Sequence, residues 1–288
     1  MRDIPTSPRI IQIRHNRRVY RFRLFIIFSV LIILIMWALS FLSGNKRITI
    51  NKVSITGTHI IDQEEIEFQV LSDMSDKYFH LFTKANSFIY PHKKIYNNLR
   101  LNFPRIETLS IYRDNLKTLH IGITERAGSF LYCGATIPEV KDQIGENCYF
   151  INNDGYIFDK APYFSGNVYF KYYLALDFGG DDPLGDQMLG ADQFHRIARF
   201  IDGVTLIGFN PIYITEEPGG TNSLYLNHGG NDTVPKITFK NSDNLDILLD
   251  NLSLAMKKKE FADEVNSKYN TLLYIDLRFK NKVLYKFQ

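Results

Sequence analysis

The sequence predicts an α+β protein: a single transmembrane helix, then a β-α-α-β-β domain, then a mainly antiparallel β domain with accessory helices. Three observations predict it. Residues 24–43, LFIIFSVLIILIMWALSFLS, run twenty positions without a charge. About 245 residues follow, enough for one large or two smaller domains. Their period-2 runs alternate with short helical stripes, and the chain is rich in Phe (22) and Tyr (17), which suit strands.

At ~1.5 Å rise per residue, a twenty-residue helix spans ~30 Å, the thickness of a bilayer's hydrocarbon core. A bilayer offers backbone groups no water, so a lone spanning segment must be helical. A buried core helix normally shows a polar face, and this run has only Ser29, Ser40 and Ser43. A signal peptide has a shorter apolar region and a small-x-small cleavage site. Ala38-Leu39-Ser40 matches such a site weakly and sits inside the apolar run. The reading is an uncleaved anchor, with Trp37 and Phe41 near its outer interface.

Charge orients the anchor. Residues 1–23 hold seven arginines (2, 9, 14, 17, 18, 21 and 23) against Asp3, a net +6 in a chain of +3. Only Lys46 and Arg47 follow the helix closely. Basic residues beside a spanning helix stay cytoplasmic, so the N-terminus is expected inside and the bulk outside, a single-pass type II membrane protein. The basic excess is thus an orientation signal, helped by anionic lipid heads, and not a nucleic-acid signature.

After the anchor, residues 48–58 alternate, with Val53 and Ile55 on one face and Lys52 and Ser54 on the other, and Gly57 ends the strand. Asp62 and Glu65 form a capping-box pattern. Ile66, Val70 and Leu71 then give a helical stripe. A second helix is expected from about His92 to Asn102, with Ile95 and Leu99 inward and Phe103-Pro104 as its stop. Two strands follow, 106–113 and 116–125, joined by a turn at Asp114-Asn115.

This order, from Val53-Ser54-Ile55-Thr56-Gly57 through Phe103-Pro104-Arg105-Ile106 to Thr118-Leu119-His120-Ile121-Gly122-Ile123-Thr124-Glu125-Arg126, resembles a POTRA domain. More narrowly, it is similar to the POTRA domain of the FtsQ/DivIB family of bacterial division proteins. That family places one such domain directly after one signal-anchor helix. Ala127-Gly128 loosely matches the small or proline residue that often follows the Glu-Arg pair.

From residue 127 the chain reads as successive strands. Residues 130–133 and 148–152 flank a Gly/Pro-containing loop. Asn153-Asp154-Gly155-Tyr156-Ile157-Phe158 resembles the element opening the family's β domain. Further strands are expected at 170–178, 204–216, 223–227 and 235–240. A helix at about 191–201 buries Phe194, Ile197, Ala198 and Ile201. Ser242 or Asp243 is expected to cap one long helix, with Leu245, Leu248, Leu249, Leu252 and Met256 as its stripe and Phe261 and Val265 as its extension. The chain closes with Tyr274-Ile275-Asp276-Leu277-Arg278-Phe279, a turn at 280–282 and a strand at 283–287. This ending resembles the family's final Asp-Leu-Arg-aromatic hairpin, with Lys282 where many relatives have glycine. The expected division is therefore 1–23 basic cytoplasmic tail, 24–43 transmembrane helix, 46–126 POTRA domain and 127–288 FtsQ-like β domain.

The sequence has no Gly-x-Ser-x-Gly elbow, phosphate-binding glycine loop or His-Glu-x-x-His pair, so no catalytic residue, cofactor or metal site is expected. Asp177, Asp181, Asp182 and Asp186 lack EF-hand spacing and read as a solvated loop. His195 reads as a surface histidine. Cys133 and Cys148 lie fifteen apart on the exported side. A disulfide closing that loop contributes ~3 kcal/mol, two buried free thiols are the alternative, and zinc lacks nearby histidines.

What the resemblance implies is a non-catalytic divisome scaffold at the septum. It would hold FtsB/FtsL-type partners and, through them, septal peptidoglycan synthases. The alternative is a POTRA-containing subunit of a protein export or outer-membrane assembly machine. Partner binding is expected by β-strand addition at the C-terminal edge, through Tyr274, Asp276, Arg278, Val283, Leu284, Tyr285, Lys286 and Phe287. Alternation places Val283, Tyr285 and Phe287 on one face and Leu284 and Lys286 on the other, and at most one set is core. Asp276 and Arg278 share a strand face, as a salt bridge or as a partner contact.

Overall fold

The structure, a computed structural model, describes residues 8–138, 147–164, 166–180, 182–227 and 234–288, with side chains from residue 19. Arg2 and Asp181 lie outside the described residues, as do the side chains of Arg9, Arg14, Arg17 and Arg18. The chain is a mixed α+β protein with one N-terminal apolar helix and a large β-sheet. It divides into two compact units, Met1–Glu125 and Arg126–Gln288.

Helix α1 runs Pro8–Ser43, so it begins well before the apolar stretch. No residue from 9 to Ser43 is a Gly or Pro that would break the helix. Its described part, Val19–Ser43, contains the uncharged run 24–43, long enough to cross a membrane, and the protein leaves that run uncovered.

The rest of the first unit comprises β1 (Lys52–Thr56), α2 (Gln63–Met74), β2 (Lys77–Tyr78), β3 (Phe82–Thr83), α3 (His92–Asn102), β4 (Ile106–Arg113) and β5 (Thr118–Glu125). The sheet order is β1-β5-β4, with β1 parallel and β4 antiparallel to β5. Leu119, Ile121 and Ile123 alternate into a core completed by Ile66, Val70, Ile95 and Leu99. Each such side chain contributes about 1.5–3 kcal/mol by leaving water. Asp62 caps α2 by accepting the Glu64 N–H at 2.9 Å.

Two expectations are corrected here, and one element is new. Leu71 is exposed, and the buried stripe is Ile66, Val70 and Met74, because steps of four stay near one face while a fifth step does not. The β4–β5 turn spans 114–117 rather than two residues, so Leu116 is exposed. The short β2–β3 hairpin was not expected, since two-residue strands carry no periodicity.

The second unit comprises β6 (Phe130–Tyr132), β7 (Tyr149–Ile151), β8 (Ile157–Lys160), β9 (Phe170–Tyr173), α4 (Ala191–Leu206), β10 (Pro211–Glu217), β11 (Thr221–Leu226), β12 (Lys236–Lys240), α5 (Leu245–Lys257), α6 (Lys259–Ser267), β13 (Leu272–Asp276) and β14 (Leu284–Phe287). They form one nine-stranded sheet, β14-β13-β12-β11-β10-β9-β6-β7-β8. Three neighbour pairs are parallel: β6/β9, β9/β10 and β12/β13. Parallel neighbours need crossovers, and α4 and α5–α6 supply two of them, so these helices are integral to the topology rather than accessory. Both crossovers start from strands pointing the same way and step in the same direction. A right-handed connection then puts them on one face. That face holds the core, with Phe194, Phe200, Val204, Leu224, Ile237, Phe239, Leu252 and Ile275.

Several boundaries move. Helix α4 continues through Val204, and the strand expected from 204 starts at Pro211. Val204 is fully buried in the α4 stripe, so its β-branched side chain serves the helix. The strand expected at 170–178 ends at Tyr173. Asn244, not Ser242 or Asp243, caps α5, accepting from the N–H groups of Asp246 and Ile247. The single long helix is two, α5 and α6, broken at Lys258 with φ −77° and ψ 119°. Gly203 lets α4 approach α5, since a Cβ there would collide with the Leu249 side chain.

Candidate partner-binding edge

The last strand, β14, stands at the end of the sheet order, so among the described residues one of its sides carries no neighbouring strand. Its inner side pairs Leu284 with Asp276, Tyr285 with Ile275, Lys286 with Tyr274 and Phe287 with Leu272. The Gln288 N–H donates inward to the Thr271 carbonyl at 2.8 Å. Strand alternation then turns the N–H and C=O of Phe287 and Tyr285 outward. Asn281, in the left-handed region at φ 57°, makes the turn into this strand, and the Lys282 N–H closes it on the Phe279 carbonyl.

The structure decides which side-chain set is core. Val283 and Phe287 pack against the main core, and Tyr285, 38% exposed, lies over the same face against Phe261. The Tyr285 ring meets Phe261 edge-on at 4.8 Å and Phe287 at 5.6 Å. Its hydroxyl donates to Glu264 at 2.8 Å, which raises the tyrosine pKa and helps, after Lys268, to hold the Glu264 carboxyl below its ordinary range. Leu284, 44% exposed, and Lys286 face the other way with Tyr274 and Asp276. The named residues thus fall on two opposite faces, and only those of β14 stand at the sheet edge, since Tyr274 and Asp276 belong to β13, which pairs with β12 and β14.

Asp276 and Arg278 form a forked ion pair, Nε to Oδ1 at 2.9 Å and the second nitrogen to Oδ2 at 2.6 Å. The Arg278 N–H adds a third bond to Oδ1. Burial pushes the Asp276 carboxyl up. The Arg278 bonds and charge, with Thr238, outweigh that and hold it below the carboxylate range. Both carboxylate oxygens are thus engaged by Arg278, whose own side chain stays 38% exposed.

Sequence reasoning missed the groove beside this edge. It has a volume of about 770 Å³ and is lined by Leu254, Ala255, Phe261, Val283 and Tyr285, together with charged Lys257, Lys258, Glu260 and Glu264. It exists because the chain bends at Lys258. The run Lys257-Lys258-Lys259 was a readable signal, since basic residues favour a helix C-terminus. Leu254, 58% exposed, lies off the buried stripe.

The opposite face of the sheet carries a second unforeseen feature. Tyr213 stacks on Tyr225 at 4.5 Å, Lys236 lies 5.7 Å from the Tyr225 ring, and Lys236 pairs with Glu217 at 3.2 Å.

Cys133 and Cys148 are joined by a disulfide that closes the β6–β7 hairpin, part of whose loop, 139–146, lies outside the described residues. His195 lies 3.7 Å from Asp154, and both are about half exposed or more. Asp177 and Asp182 accept backbone N–H groups of Gly179 and Leu184 within their own loop. Among the described residues no group of three or more His, Cys, Asp or Glu is placed to hold a metal ion.

Compared with known proteins, the chain matches no family model and no curated sequence.

Proposed function

We propose that this chain is a membrane-anchored, non-catalytic scaffold of the FtsQ/DivIB type. In this reading α1 is the anchor, with its basic end cytoplasmic, and the β-α-α-β-β unit is a POTRA domain. The single observation that carries it is the last hairpin: among the described residues β14 stands at the end of its sheet, and its open edge borders a groove part apolar and part charged. Such an edge receives an extended segment through main-chain hydrogen bonds, and the groove takes alternate side chains. The occupant is an FtsB/FtsL-type partner, which links the scaffold to septal peptidoglycan synthases.

The experiment is co-purification of the full chain with that partner. Tyr285→Pro removes an outward N–H and should abolish capture, as should a chain stopped after Lys282. Tyr285→Phe keeps the backbone and should retain it. Full capture by both disruptive variants, each shown to be folded and membrane-inserted, would sink strand addition at this edge. Depletion that left cells dividing at normal length would sink the division role itself.

A further inference from the structure

The short β2–β3 hairpin carries a chemistry that the proposed scaffold role leaves unused. Its turn, Tyr78-Phe79-His80-Leu81, is closed by the Leu81 N–H on the Tyr78 carbonyl at 3.0 Å. Phe79 and His80 both lie in the left-handed region, at φ 51° and 60°. Glycine, or else asparagine or aspartate, is favoured at such positions, because a Cβ resists that conformation. Here the tip holds a phenylalanine that is 87% exposed, followed by an exposed Leu81. An apolar ring kept on a disfavoured backbone and pointed at solvent calls for an occupant.

The contacts of this hairpin say what the occupant is. The Ser40 hydroxyl on α1 donates to the Leu81 carbonyl at 2.6 Å. Ser40 lies three residues before the end of the apolar run, about 4.5 Å back along the helix axis. The segment after β3 is held to the same helix end by Asn86, whose Nδ2 donates to the Ser43 carbonyl at 3.0 Å, and the Ser87 N–H donates to the carbonyl of Ile48, five residues past the helix, at 2.9 Å. Directly after it come Phe88 and Ile89, both exposed. Arg113 lies 5.1 Å from the Phe88 ring, and its Nη1 donates to the Ser87 carbonyl. Aromatic rings with an apolar body beside a cation suit the level of lipid headgroups.

We propose that the hairpin tip, Phe79 and Leu81, with Phe88 and Ile89, is a foot that enters the bilayer interface around the anchor, in the leaflet nearer Ser43. It would fix the β-α-α-β-β unit against the membrane instead of leaving it on a swivel. The proposal rests on the reading of α1 as a spanning anchor.

The test uses the full chain in phosphatidylcholine–phosphatidylglycerol vesicles containing lipid brominated on its acyl chains, a contact quencher of tryptophan. The parent has one tryptophan, Trp37, which reports the anchor itself. F79W and, as a second probe of the foot, F88W are made together with W37F. L101W with W37F is the control, because Leu101 is 75% exposed on α3. The foot predicts loss of emission for the parent and for both foot probes, and unchanged emission for the control. A quenched parent with unquenched foot probes overturns the foot and leaves the anchor. An unquenched parent overturns the anchor reading and the foot with it. Equal quenching of the control overturns the foot in favour of general adsorption.

Discussion

Tyr285 on the last strand donates its hydroxyl to Glu264 on α6, twenty-one residues earlier, at 2.8 Å. This bond, with the edge-on contact to Phe261, pins β14 from the helix side while its outer backbone edge stays open. A receptor strand must be ordered before a partner arrives, or the partner bears the ordering entropy.

Removing that pin should loosen β14 without unfolding the unit. Tyr285→Ala should speed amide exchange at 284–287, while the amides of β11 and β12 keep their protection. Tyr285→Phe should show an intermediate effect. Protection equal to that of the parent in Tyr285→Ala would mean that ladder bonds to β13 alone hold the strand.

The Glu125 carboxylate accepts the backbone N–H groups of His59, Ile60 and Ile61 at 2.7, 3.0 and 3.0 Å, organising the loop before α2. Burial pushes this carboxyl up, and the three bonds outweigh it and hold it below the ordinary glutamate range. A depressed folded pKa gives stability present above the unfolded value of ~4.3 and lost as pH falls through the lower folded value. Glu125→Ala should cost about 1–2 kcal/mol at neutral pH, since the site is partly exposed. Urea titrations from pH 7 to pH 3 should show the parent converging on the variant. Parallel curves would refute the assignment.

Arg278→Ala should leave the nearly buried Asp276 carboxylate without its forked partner, at a cost of about 1–3 kcal/mol. Asp276→Asn should cost less, because it removes the buried charge as well. The parent pair has a depressed carboxyl, so its contribution is present above ~3.9 and fades as pH falls through the lower folded value. A double-mutant cycle measures the coupling, and a value near zero at pH 7 would show that the pair is not structural.

Replacing Cys133 and Cys148 by serine, or reducing their bond, should lower stability by about 3 kcal/mol, the loop-closure entropy of a fifteen-residue span. Calorimetry with and without reductant reads this directly. A melting temperature indifferent to reductant would place the stability of this unit elsewhere.

The sequence by itself determined the local and periodic features. An uncharged run at 24–43, alternation through Leu119, Ile121 and Ile123, the Asp62 cap and the Phe103-Pro104 stop each depend on neighbours a few residues away. Backbone sterics, capping and burial period act at that range, so those elements are legible. Tertiary structure alone decided the rest. Val204 joined a helix rather than a strand because α4 needed it against the core. The run from Leu245 to Val265 bends at Lys258, and α5 and α6 together span the crossover between parallel β12 and β13. Alternation could split β14 into two sets but could not say which was core, since period 2 is blind to which face the crossovers cover. The groove beside Tyr285 and the contact between Ser40 and Leu81 join residues far apart in the chain. Long-range packing sets such distances, and no local pattern encodes them.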